Sequence, residues 1–164
     1  MSPKPFVVGE YVVYPSHGVG QIAGYELQEI ADQKIELMVI SFDKDRMILR
    51  IPIGKAKASG LRALSAPKDM QKALESLKIK TKSRRTMWSR RAQEYENKIN
   101  SGDPASIAEV IRDLYRSATQ PDQSYSERQI YQAAIDRFAR ELAAIEQTDE
   151  PAAISKVEEF LKVA

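Results

Sequence analysis

Residues 78–91 read KIKTKSRRTMWSRR and hold the only tryptophan of the chain inside its densest run of cations. Across residues 67–91, nine Lys and Arg (Lys68, Lys72, Lys78, Lys80, Lys82, Arg84, Arg85, Arg90, Arg91) face two acids, Asp69 and Glu75, a local net charge of +7. The chemistry open to such a stretch is recognition of a polyanion. Ammonium and guanidinium groups hold phosphates while one flat apolar ring stacks on bases or wedges between them. The same tryptophan fits a second reading, because Trp88, Ala92, Tyr95 and Ile99 recur at i, i+4, i+7 and i+11, the spacing of a helix face packed on a core. On the residues alone, base contact and core packing both stand.

Other chemistry finds little material. The chain has no cysteine, so it offers no thiolate nucleophile, disulfide or Cys-based zinc site, and its single His17 makes no His-rich metal site. No metal or other cofactor is expected. His17 lies in the turn PSHGVG with no partner that the sequence places, which predicts a turn role rather than general-base work. Gly18-Val19-Gly20 lacks the third glycine and the following helix of a dinucleotide fingerprint. Glu94 and Glu96 fit a solvated helix face, and the acidic tail from Glu141 onward is read the same way. The chain is not expected to be an enzyme. Its 164 residues, 43% hydrophobic and 29% charged, are those of a folded protein with one domain or two small ones. No run reaches about 18 apolar residues and MSPKPFVVGE has no secretory character, so a cytoplasmic protein without membrane contact is expected. The overall charge of +2 conceals a segregation: +1 over residues 1–66, −2 over 92–140 and −4 over 141–164.

Two kinds of element must position these residues. Over 6–64, β-branched and aromatic residues cluster in short runs between Gly, Pro and Asp turns. Strands are predicted over 6–14, over 21–30 with a bend at Gly24, over 34–42 as a central strand, from 46 with Met47, Leu49, Ile51 and Ile53 on one face, and over 61–64. Asp43-Lys44-Asp45 supplies a turn. Pro52 cannot donate a ladder hydrogen bond and so marks an edge or an end. Five short strands imply a small β-barrel over 1–64. On its edge strand Arg46, Ile48 and Arg50 point outward, a surface that either recruits another protein's strand or is guarded by its charge.

From Pro67 the apolar period changes from 2 to 3.6, so 67–164 is predicted as an all-α bundle of four to five helices. Helices are expected over 67–77, over 86–101 with Thr86 as N-cap and Gly102 as stop, and from Asp103-Pro104 with Ile107, Val110, Ile111, Leu114 and Ala118 on one face. A long helix follows the capping box of Ser124 and Glu127, carrying Tyr131, Ala134, Phe138, Leu142 and Ile145. A last one carries Ile154, Val157 and Leu161. The terminal residues 161–164 read as a frayed helix end rather than a proteolysis tag.

Taken together, GEYVVYPSHGVGQI near the start, then WSRR, INSGD, EVIRDLY and SERQIYQAAIDRFARELA in that order, resemble the CarD/CdnL family of bacterial RNA polymerase-binding transcription regulators. The first module is similar to one shared with transcription-repair coupling factors, whose helicase motifs are not expected at this length. The resemblance covers about residues 7–161. It implies a Tudor-like or SH3-like barrel that binds the lobe of the polymerase β subunit, with Arg50 beside Ile51 and Pro52 at that interface. It also implies a helical domain that contacts promoter DNA just upstream of the −10 element, largely independent of sequence. By resemblance Trp88 is a minor-groove wedge at the upstream edge of the melted bubble, and Arg90 lies near the DNA backbone. A family lysine position falls on Gln93, so Arg84, Arg85 or Arg91, with Lys82 in the same run, would supply phosphate contacts. A second basic interface position falls on Gln28. The expected protein is a monomeric, non-enzymatic initiation regulator that stabilises the open promoter complex. The alternative from another class is an RNA-binding or ribosome-associated module with a basic helical appendix.

Overall fold

The computed structural model describes residues 5–42, 46–79, 87–115 and 123–163. The chain divides into two compact units, Met1–Leu64 and Ser65–Ala164.

The first unit is a five-stranded antiparallel sheet built from β1 (Tyr11–Tyr14), β2 (Gly18–Ile30), β3 (Gln33–Phe42), β4 (Met47–Pro52) and β5 (Arg62–Ala63), in the order β4-β3-β2-β1-β5. Val12, Ile22, Met38, Ile40, Phe42, Ile51, Ala56 and Leu61 close into one core. The central placement of β3 follows from its two apolar faces, since Leu37 and Val39 are buried as well as Met38 and Ile40. β2 bends where expected: its register with β3 shifts between Ile22 and Gly24, a bulge that lets its first part also pair with β1. Gly20 is required for a different reason than turn geometry. A Cβ there would stand 2.8 Å from both Ile40 Cγ2 and Phe42 Cε1, closer than packed atoms approach.

The start of β1 and the end of β4 differ from expectation. β1 begins at Tyr11, not at Phe6, because Gly9 takes φ +93° and the Glu10 N–H donates to Val7 O at 3.0 Å, turning the chain first. Phe6 is nonetheless fixed. The Tyr25 hydroxyl donates to Phe6 O at 2.5 Å, and burial pushes that phenol above its ordinary value. Ile53 leaves the β4 face to begin α1 (Ile53–Ala56), a one-turn helix that follows Pro52. The tight β2–β3 hairpin turns on Ala31 (φ 51°) and Asp32 (φ 63°), two left-handed residues as a two-residue turn demands. The Asp43-Lys44-Asp45 turn lies outside the described residues.

The second unit contains α2 (Pro67–Ser76), α3 (Trp88–Asn100), α4 (Pro104–Leu114), α5 (Tyr125–Glu146) and α6 (Glu150–Val163). Its core joins Met70, Leu74 and Leu77 to Tyr95, Ile99, Ile107, Ile111, Leu114, Phe138, Leu142, Val157 and Leu161. Pro67 and Pro104 sit in the first turns of α2 and α4, where a missing N–H costs nothing. Gly102 (φ 72°) ends α3 with its N–H on Ile99 O, and Ser124 Oγ accepts the Glu127 N–H at 3.2 Å to start α5. Asp103 holds the N-cap position of α4, but its carboxylate accepts from the Ser106 hydroxyl instead of from a backbone N–H. In α6 Ala153, Val157 and Leu161 are buried, with Ile154 only partly covered. Ala118 lies outside the described residues.

Glu141 corrects the reading of the tail as a solvated face. It is 4% exposed, and its Oε2 accepts the Ser65 N–H at 2.8 Å, pinning the first residue of the helical unit to α5. A buried carboxylate persists where hydrogen bonds replace water.

Tyr131 gives this unit a measurable alkaline limit. Burial foremost, then the charges of Glu158 and Tyr115, hold its phenol above its ordinary value of 10.0. A raised folded-state pKa means that the contribution of the neutral phenol is complete below pH 10 and is lost as pH rises beyond it. Urea midpoints at pH 8 and pH 11 should therefore fall less in Tyr131→Phe than in the wild type. Equal falls would remove Tyr131 as the cause.

Candidate functional site

Trp88 is the first residue of α3, and Met87 fills the N-cap position without a side-chain cap. Thr86, expected there, lies outside the described residues. The indole is half-buried and packs on the edge of the helical core. Its Nε1 donates to Ser126 Oγ at 3.1 Å, joining the start of α3 to the start of α5. Behind it, one helical turn along each step, Ala92 is half-buried and Tyr95 and Ile99 are buried. The two readings of the stripe are thus divided along its length: the far end is core, and the near end is a ring with one side on the core edge.

Arg91 completes the mounting. Its guanidinium carbon lies 5.6 Å from the Trp88 ring and 5.7 Å from the Tyr95 ring. The rings themselves are 6.2 Å apart and tilted by 53°. Arg91 Nη2 donates to the Tyr95 hydroxyl at 3.1 Å, which donates in turn to Asp113 Oδ2 at 3.4 Å on α4. Cation–π attraction and hydrogen bonding together favour this orientation of the ring. Arg91 is half-buried in this stack, whereas Arg90 next to it is exposed. Gln93, at the family's lysine position, is exposed and donates to Asn97 Oδ1 at 3.1 Å. Lys82, Arg84 and Arg85 lie outside the described residues.

The expected polymerase-facing residues lie on β4, an end strand of the sheet, except Arg46, which immediately precedes it. Ile48 is 55% exposed, and Arg46 is exposed at φ 50°. Arg50 Nε donates to Glu26 Oε2 at 3.0 Å across the sheet, both groups facing water. Such an exposed pair contributes at most about 1 kcal/mol and separates readily. Ile51 requires a correction. It is 7% exposed within the sheet core, because period-two geometry turns it away from Arg50, so its side chain is no surface contact. Pro52 is half-buried at the strand's end, and Gln28 is exposed on β2 opposite Ile35.

His17 stacks on Tyr14 at 5.5 Å and lies 5.7 Å from Phe42, a packing role at the rim of the sheet core. Among the described residues, no group of acids and histidines could hold a metal ion, and no helix is long and apolar enough to cross a membrane. Ser126 and Asp113 were not found from sequence. No local spacing rule links Trp88 to a residue 38 positions on, and the capping signal at Ser124 marks only where α5 starts.

The chain thus joins a small antiparallel sheet unit to a helical bundle that carries Trp88 and Arg91 together at the start of α3. Residues 6–65 match the model described as CarD-like/TRCF RID domain, and residues 72–158 match that of the CarD C-terminal domain. The chain belongs to the CarD/CdnL family of transcription regulators. It is 28% identical over 140 residues to YdeB of Bacillus subtilis (strain 168), provisionally assigned as a transcription factor, covering 85% of this chain and 92% of that protein. The solution structure of the 72-residue N-terminal domain of Myxococcus xanthus CarD is 30% identical, covering 38% of this chain and 84% of that one, with a TM-score of 0.32.

Proposed function

We propose that the chain binds the lobe of the RNA polymerase β subunit through residues 1–64, and that residues 67–164 stabilise the open promoter complex with Trp88 as a wedge at the upstream edge of the bubble. The observation that carries this is the mounting of Trp88, whose ring is half-exposed at a helix start and fixed by Ser126 and Arg91. Inserting a ring between base pairs costs a few kcal/mol of unstacking in closed duplex, and much less where the step is already open. A stiff wedge binds the open state better, and differential affinity is all that shifting an equilibrium requires. Preorganisation matters because a ring already held in place loses little side-chain entropy on insertion.

The cations near the ring are few on the described helices, Arg90 foremost, with Lys82, Arg84 and Arg85 adding to the positive field in sequence. Affinity for free DNA is therefore weak and salt-sensitive, and the sheet unit supplies effective concentration by tethering the wedge to polymerase. On that unit Arg50 exchanges Glu26 for a partner acid, while Ile48 and Arg46 flank it along the β4 edge.

An isolated β-lobe fragment tests the tether. Arg50→Glu should weaken binding by about tenfold or more, since reversal replaces attraction with like-charge repulsion. Equal binding removes Arg50 from the interface, and retention of the wild-type chain on ribosomes instead of polymerase replaces the whole reading with an RNA-binding one.

A further inference from the structure

Two large side chains adjoin in sequence the residues of the Trp88–Ser126 hydrogen bond and are exposed. Met87, directly before Trp88, and Tyr125, directly before the Ser126 that accepts the indole N–H, are each 76% exposed. The bond between Trp88 and Ser126 brings both into one corner, where the start of α3 meets the start of α5. Single exposed hydrophobics are ordinary on a folded protein, but several at one place mark a contact surface.

The surrounding charge selects the occupant. Arg90 and Arg128 are exposed on the same two helix starts, where Glu127 in the first turn of α5 is half-buried, and in sequence residues 78–91 are the densest run of cations. A nucleic acid strand brings phosphate at every step together with flat apolar faces, which are what a phenol ring and a thioether beside cations can cover. A tyrosine suits that surface: its ring meets any base, its hydroxyl stays in water, and only two side-chain torsions are fixed on contact.

We propose that Tyr125 is a second base-stacking residue, with Met87 packed against the same nucleotides, so that the melted strand at the bubble edge meets two aromatic side chains from two helices. The inference rests on the wedge reading of Trp88 and adds a binding residue to that surface.

The test compares lifetimes of heparin-challenged open complexes formed by polymerase, promoter and the full-length chain as wild type, Tyr125→Ala, Tyr125→Phe or Trp88→Ala. Tyr125→Ala should shorten the lifetime about fivefold to tenfold, as loss of one stacked base implies, with Tyr125→Phe close to wild type. Because the side chain is exposed, the melting temperature of both Tyr125 variants should match the wild type. A wild-type lifetime for Tyr125→Ala beside a shortened one for Trp88→Ala overturns the second stacking residue and leaves the wedge standing. Wild-type lifetimes in both overturn the wedge, and this inference with it. Equal shortening in the Ala and Phe variants assigns the effect to the hydroxyl and overturns ring stacking.

Discussion

Trp88→Ala is expected to shorten the lifetime of heparin-challenged open complexes about fivefold to hundredfold, because a stacked aromatic supplies roughly 1–3 kcal/mol and each 1.4 kcal/mol is a factor of ten. The effect should fall on the dissociation of the open complex and spare recruitment to polymerase, since the sheet unit is untouched. Truncation also strips a half-buried ring from the edge of the helical core and leaves Arg91 with Tyr95 alone. Some stability is therefore lost, and the melting curve of the variant must show a folded chain at the assay temperature. Trp88→Phe separates the two effects. It keeps a ring on the core edge but forfeits the hydrogen bond to Ser126 and much of the stacking area, so its lifetime should lie between those of wild type and Trp88→Ala.

Phe138→Ala carries the largest expected loss of stability, about 3–5 kcal/mol from lost burial and the cavity left behind. Phe138 is 1% exposed on α5, the long helix against which α3, α4 and α6 all pack. A loss of that size is a large part of the roughly 5–15 kcal/mol that holds a domain folded. Urea unfolding followed by tryptophan fluorescence checks it directly, because Trp88 is the only tryptophan and reports on the helical unit. A midpoint unchanged from wild type would mean that the α5 core position is not what organises the bundle.

Much of the fold was legible because its signals are local. The alternation of Met47, Ile48, Leu49, Arg50 and Ile51 placed each side chain on its face of β4, and the capping spacing of Ser124 and Glu127 placed the start of α5. What escaped depended on a backbone choice or a distant partner. Ala31 and Asp32 take left-handed conformations that their residue types do not demand, and Gly9 breaks a run of valines that otherwise reads as strand. The acidic tail read as solvated because charge alone gives no sign that Glu141 has a backbone N–H 76 residues away to accept. At the candidate site, Trp88 and Arg90 stood out through residue type. Arg91 looked equivalent to its neighbour, yet one residue of rotation on α3 turns it from the surface into the stack with Tyr95. Ser126 had no local signal at all, since the helix pairing that brings it to Trp88 is tertiary. Family resemblance supplied the wedge and the polymerase edge as expectations, and Ile51 marks where carrying a strand over as one surface overlooks its alternation.

The most direct test of the wedge is the reclosure of the upstream fork itself. With 2-aminopurine at the first melted position of the upstream edge, polymerase, promoter and the full-length chain are assembled and then challenged with heparin, and the loss of fluorescence on restacking gives the rate of collapse. Slow restacking with the wild-type chain and restacking at the rate of polymerase alone with Trp88→Ala is the predicted result. Equal rates for wild type and a folded Trp88→Ala would contradict it.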